Sequence, residues 1–112
     1  MFPRSQRLSR QKDIDFVFKR GRMYSTPLFV LRILQNSLEH HRVTVIVSNK
    51  TQKSAVKRNT MKRRMREVLK KVLKGAGHHY DVVVVLRAGS LTANYAVLEK
   101  HIKRGLLFLR VI

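Results

Sequence analysis

The sequence reads as an α+β fold, a single-domain α/β sandwich with its elements in the order α-β-β-α-β-α. Three observations lead there. Two segments rich in Val, Ile and Phe alternate in polarity as strands do, Leu28–Gln35 and Arg42–Ser48. A third, Tyr80–Gly89, holds the unbroken apolar run Val82–Leu86, which suits a central strand covered on both faces. Two longer segments, Ser54–Lys74 and the C-terminal stretch from Leu91, repeat their apolar residues at helical spacing. A length of 112 residues with 44% hydrophobic content suits one folded unit over 1–112 with a modest core.

Taken in order, residues 1–8 are basic and hold Pro3, and are expected to form an N-terminal arm. "SRQKDIDFVFKRG" predicts a short helix capped by Ser9 and stopped by Gly21. Ile14, Val17 and Phe18 share one of its faces, and Phe16 lies on the other side. The turn "NSLEHH" predicts a hairpin between the first two strands. Val43, Val45 and Val47 are assigned to the core face, leaving Thr44, Ile46 and Ser48 opposite. In the preceding strand Phe29, Leu31 and Ile33 alternate with Val30, Arg32 and Leu34, so Arg32 points away from the core. The basic helix ends at "GAG". The last helix carries the stripe Tyr95, Leu98, Ile102, Leu106 and Leu109, with Thr92 as its expected cap.

Charge is the dominant chemical signal. The formal net charge is +19 and the pI about 11.6, which points to a polyanionic partner. Eleven cations fall between Lys50 and Lys74, a segment whose only acid is Glu67. On a helical wheel Met61, Met65, Val68 and Val72 form a core stripe, with Leu69 and Leu73 beside it. Asn59, Lys62, Arg63, Arg66 and Lys70 form a second face at i, i+3, i+4, i+7 and i+11. A helix that serves only solubility mixes signs, whereas unrelieved like charges one turn apart repel. A rod of cations with one amide is shaped for phosphates. A membrane-surface helix is the weaker reading, because the apolar stripe is needed for the core and no Trp anchors it.

Protein-based catalysis finds no constellation. Cys is absent, and the six acids are scattered. Asp13 and Asp15 point to different sides of one helix. The pairs His40–His41 and His78–His79 read as solvated loop histidines. The longest apolar run is far too short to span a bilayer, and no signal-peptide pattern opens the chain.

The run "AVKRNTMKRRMREVLK" resembles the signature of the bacterial ribonuclease P protein subunit: Ala55 and Val56, the pair Arg58–Asn59, then Lys62, Arg63 and Arg66. "RLSRQKDIDFVFKRGR", "RVTVIVSNK" and "YDVVVVLRAG" extend the resemblance over nearly the whole chain. Thr60 stands where the signature usually has a second Arg, and the loop "NKTQKSAV" lacks the Gly common there. Ile14 takes a position often aromatic, and Arg32 one often held by Tyr.

The resemblance implies a ribosomal-protein-like sandwich with a left-handed β-α-β crossover. It implies a subunit of an endoribonuclease that matures the 5′ ends of transfer RNA, with catalysis by RNA and Mg²⁺ and no catalytic residue in the protein. The expected contacts to the catalytic RNA are Arg58, Asn59, Lys62, Arg63, Arg66 and Lys70. The expected cleft for the single-stranded 5′ leader of precursor tRNA is Ile14, Phe18, Arg32, Ile46, Ser48 and Lys50. The implied partners are these two RNAs, with no membrane and no obligate protein partner, and the implied location is the cytoplasm. A structural or ribosomal RNA-binding protein with no part in cleavage is the alternative.

Overall fold

A computed structural model describes residues 6–112. Three helices and four strands run in the order α1 (Gln11–Arg20), β1 (Arg22–Ser25), β2 (Phe29–Gln35), β3 (Arg42–Ile46), α2 (Ala55–Val72), β4 (Tyr80–Leu86) and α3 (Tyr95–Phe108). The N-terminal arm expected over 1–8 lies mostly outside the described residues. Near its end Leu8 is buried, and its N–H donates to the Val43 carbonyl at 3.0 Å.

The sheet order is β1-β2-β4-β3. The expected hairpin of β2 with β3 therefore does not form. β4 inserts between them, antiparallel to β2 and parallel to β3. Its apolar run explains the exchange: Val82, Val83 and Val84 have no exposed surface, and only a central strand covered on both faces buries consecutive side chains. The β2–β3 loop reaches across the start of β4, where the Asn36 N–H donates to the His79 carbonyl at 2.9 Å. β3, α2 and β4 make one parallel crossover.

β1 was not expected. "RMYS" is short and has no clear alternation of its own; pairing with β2 makes it a strand, in register Arg22↔Ile33 to Ser25↔Val30. The turn between them is closed by Thr26, whose hydroxyl accepts from the N–H groups of Leu28 and Phe29. Gly21 ends α1 as expected. A Cβ there would lie 2.5 Å from the Val17 carbonyl oxygen and 3.0 Å from that of Ile33, so only glycine lets the helix end this close to β2.

Two helix caps differ from expectation. Arg10, not Ser9, precedes α1, and it makes no side-chain cap. Asn94, not Thr92, caps α3 by accepting from the Val97 N–H at 2.9 Å; Leu91 belongs instead to a 3-10 turn over Ala88–Leu91 that ends at Thr92, so the helix starts later than predicted. Ser54 caps α2 through the Lys57 N–H, and the helix passes into a 3-10 turn over Leu73–Gly75.

The main core lies between the sheet and the layer of α2 and α3. It takes Phe29, Leu31 and Ile33 from β2, Val43, Val45 and Val47 from the β3 segment, and the predicted stripes of both helices. On the opposite sheet face α1 covers a smaller cluster of Leu8, Val17 and Val83, with Ile14, Leu34, Ile46 and Val85 packed around it. No helix among the described residues is long and apolar enough to cross a membrane.

Candidate nucleic-acid interface

The 3.6-residue period of α2 separates its two faces. Met61, Met65, Val68, Leu69 and Val72 are buried, which turns Asn59, Arg63 and Lys70 fully outward and leaves Lys62 and Arg66 half-exposed. Among the described residues none of these cations has a carboxylate partner. The ion pair of α2, Lys71 with Glu99 of α3, lies on the other flank. Burial first, and then the like charge of Arg7, pulls Arg66 below the ordinary arginine range.

Arg58 has a second task. Its Nη1 donates to the carbonyls of Gln52 and Lys53, each at 2.9 Å, and so ties the loop after β3 to the first turn of α2. Only this nitrogen is engaged among the described residues, so part of the guanidinium remains for a ligand. Arg64, which the sequence reading did not single out, donates to the Ala93 carbonyl at 3.1 Å and links α2 to the segment before α3.

The outer sheet face carries the other set. Registration aligns Arg32 with Val83, and Val85 with Val30 and Ile46. Ile14 and Ile46 pack on the cluster beneath α1. Phe18 stays 38% exposed, and the Arg32 guanidinium carbon lies 4.7 Å from its ring centroid. Arg32 Nη1 reaches the Phe18 carbonyl at 3.5 Å, while its buried Nε has no partner among the described residues. Ile14, Phe18, Arg32 and Ile46 are thus assembled on one face. Ser48 and Lys50 lie just beyond β3, both exposed. The Ser48 hydroxyl accepts from the Thr51 N–H at 3.1 Å, so it shapes the turn leading to α2. That turn joins the cleft to the basic helix through only a few residues.

Sequence reasoning missed the clamp that holds α1. Arg42 donates through Nη2 and Nε to the two Asp81 oxygens at 2.6 and 2.9 Å, and through Nη1 to Asp13 at 3.3 Å. Asn36 completes it at 2.8 Å from Asp81. Asp81 is 6% exposed, and its hydrogen bonds raise Arg42 above its usual value. The signal available was an Asp interrupting an apolar strand, since buried carboxylates are paired. His41 is also not a solvated loop residue. It is half-buried, its Nδ1 accepts from the Tyr80 N–H at 3.0 Å, and its ring meets His79 edge-on at 5.2 Å. Burial, and next the charge of His79, lowers its pKa, against an opposing hydrogen bond with the Leu73 backbone.

The family model Ribonuclease P matches residues 2–110. The chain belongs to the ribonuclease P protein family. The ribonuclease P protein component of Streptococcus pneumoniae is 36% identical over 96 residues, covering 86% of this chain and 77% of that protein. The Staphylococcus aureus RNase P protein superposes with a TM-score of 0.81 at 26% identity, over 95% of this chain and 96% of that one. The Thermotoga maritima RNase P protein, in complex with 1-(4-fluorophenyl)-2-thiourea, gives 0.74 at 25% identity over 92% and 95%. Ribonuclease P membership makes the chain the protein component of an endoribonuclease holoenzyme of tRNA processing, with an RNA partner.

Proposed function

We propose that the chain binds the catalytic RNA of ribonuclease P through Arg58, Asn59, Lys62, Arg63, Arg66 and Lys70, and holds the 5′ leader of precursor tRNA between α1 and the outer sheet face. The observation that carries this reading is the alignment of unpaired cations on α2, one short turn away from an aromatic-and-cation surface. Cations without acid partners meet phosphates and release counterions. An exposed ring beside a guanidinium suits unpaired bases without demanding a sequence. Ser48 contributes through the turn it shapes, and Lys50 as a rim charge.

Mg²⁺ is proposed to sit on the RNA, where it would activate the attacking water and stabilise the leaving oxygen. The protein's own carboxylates fit poorly as a metal cage. Asp13 and Asp81 are committed to Arg42, Glu99 to Lys71 and Lys103, and no three His, Asp or Glu side chains gather for a metal among the described residues. The chain's work is therefore binding and positioning, and the cytoplasm is its proposed location.

The test is reconstitution. Protein, a bacterial ribonuclease P RNA and precursor tRNA are mixed at a Mg²⁺ concentration too low for the RNA alone. Restored 5′ cleavage supports the proposal. Tight RNA binding without any gain in cleavage would favour a purely structural RNA-binding protein.

A further inference from the structure

The last turn of α3 and the edge strand β1 form a corner used by neither of these surfaces. α3 shares a sheet face with α2 but lies on the flank where Lys71 meets Glu99, away from the aligned cations. Gly105 lets it press onto β1: a Cβ there would come within 2.7 Å of the Tyr24 ring. The next residues are nevertheless left outside the core. Leu107 is 60% and Phe108 69% exposed, and Met23 of β1 is 51% exposed. The Phe108 ring centroid lies 5.5 Å from that of Tyr24, so the exposed ring is backed by a second one.

Cations surround this apolar corner. Arg104 precedes Phe108 by one turn, Arg110 follows it, and Arg22 donates to the Leu109 carbonyl at the helix end. Glu99, the only acid of α3, is engaged by Lys71 and Lys103.

Arg110 adds an independent sign. The helix ends in a Schellman motif, with the Val111 N–H on the Leu106 carbonyl at 2.8 Å and the Arg110 N–H on that of Leu107 at 3.0 Å. Its left-handed position is normally glycine, because a Cβ there is unfavourable. Arg110 occupies it at φ 59°, the only described non-glycine residue with positive φ. A strained residue that carries an exposed cation beside an exposed ring points to a ligand.

We propose that this corner is a second surface for single-stranded RNA, with bases stacked on Phe108 and phosphates met by Arg104 and Arg110. A second copy of the chain is the poorer occupant, since it would bring two sets of these arginines together on chains of net charge +19.

The test uses the full chain carrying Lys62→Ala, Arg63→Ala and Phe18→Ala to weaken the other two surfaces. Binding of a fluorescent oligoadenylate RNA is measured by anisotropy across salt concentrations, beside a melting curve. Phe108→Ala is expected to weaken binding roughly tenfold. Arg104→Ala should lower the log–log salt slope by about 0.7. Arg110→Gly separates binding from folding: it should raise the melting temperature while weakening binding. Unchanged affinity in both Phe108→Ala and Arg110→Gly overturns the proposal. So does a dimer, seen by sedimentation, that Phe108→Ala dissolves, or binding to phosphatidylserine vesicles that it abolishes while RNA affinity stays. In the assembled holoenzyme, a loss seen with catalytic RNA alone assigns the strand to that RNA. A loss seen only with precursor tRNA assigns it to the substrate.

Discussion

Arg32 places its guanidinium over the ring of Phe18, 4.7 Å from the centroid, so the residue that the family often has as Tyr is here a cation stacked on an aromatic. Strand β2 and helix α1 thereby share one surface, with a ring edge and a charge both available to a nucleotide. Phe18→Ala should weaken binding of precursor tRNA by about 1–3 kcal/mol while leaving mature tRNA unaffected. Phe18 is partly exposed, so the melting temperature should move little. Equal loss for both RNAs, with a lower melting temperature, would assign Phe18 to packing alone.

Arg58 and Lys62 should separate. Both are expected to contact RNA, but only Arg58 also holds the Gln52 and Lys53 carbonyls. Lys62→Ala should lower the salt slope of catalytic-RNA binding by about 0.9 and change stability by less than about 0.5 kcal/mol. Arg58→Ala should weaken RNA binding and also cost about 1 kcal/mol, because the loop loses its tie. Denaturant titration beside binding isotherms checks both. Identical stability in the two variants contradicts the tie.

Asp81→Ala strikes the clamp on α1. It leaves Arg42 and Asn36 without their buried acceptor, which should destabilise the fold by about 3 kcal/mol. The cleft should loosen at the same time, because Arg42, the residue that holds Asp13 of α1, loses the anchor that fixes it. Chemical denaturation reads the first effect, and leader-dependent affinity reads the second.

Acid should weaken the fold through His41. Its folded pKa lies below the ordinary 6.5, chiefly through burial and then through His79. In the window below 6.5 the unfolded chain therefore binds more protons than the folded one, and stability falls as pH falls. Above about 6.5 this contribution is fully present. His40, His79, Lys70 and Lys74 line the same cavity of about 360 Å³ and oppose the added proton, with Glu39 the one carboxylate among its lining residues. Protonation at Nδ1 also removes the acceptor for the Tyr80 N–H. Stability measured from pH 7.5 to 5 should decline, and His41→Gln should flatten that part of the decline.

Periodicity made much of this legible. The α2 stripe, Val43–Val45–Val47 and the central β4 follow from spacing and from one apolar run, because those features decide which side chains water must not reach. Arg32 and Ile46 could be placed on the outer face for the same reason. What stayed hidden depends on contacts distant in sequence. "RMYS" becomes a strand only by pairing with β2, and β2 is parted from β3 by a strand 39 residues beyond Arg42 at Asp81. The Arg42–Asp81 clamp has the same cause. Asn94 displaced Thr92 because Thr92 ends the preceding 3-10 turn over Ala88–Leu91, a local choice that two cap-forming residues only two positions apart do not distinguish. Arg58 read as a surface cation because its loop carbonyls carry no sequence signature.

The central claim is that two neighbouring surfaces serve two different RNA strands. The chain has no cysteine, so a single introduced thiol can carry an iron chelate that cuts nearby RNA. The measurement is the cleavage pattern in the assembled holoenzyme with precursor tRNA, from Asn59→Cys on α2 and from Lys50→Cys at the cleft. Both positions are exposed. Cuts from position 59 should fall in the catalytic RNA, and cuts from position 50 in the 5′ leader, vanishing when mature tRNA replaces the precursor. Leader nucleotides that are never cut from position 50, while catalytic RNA is cut from both, would contradict the account.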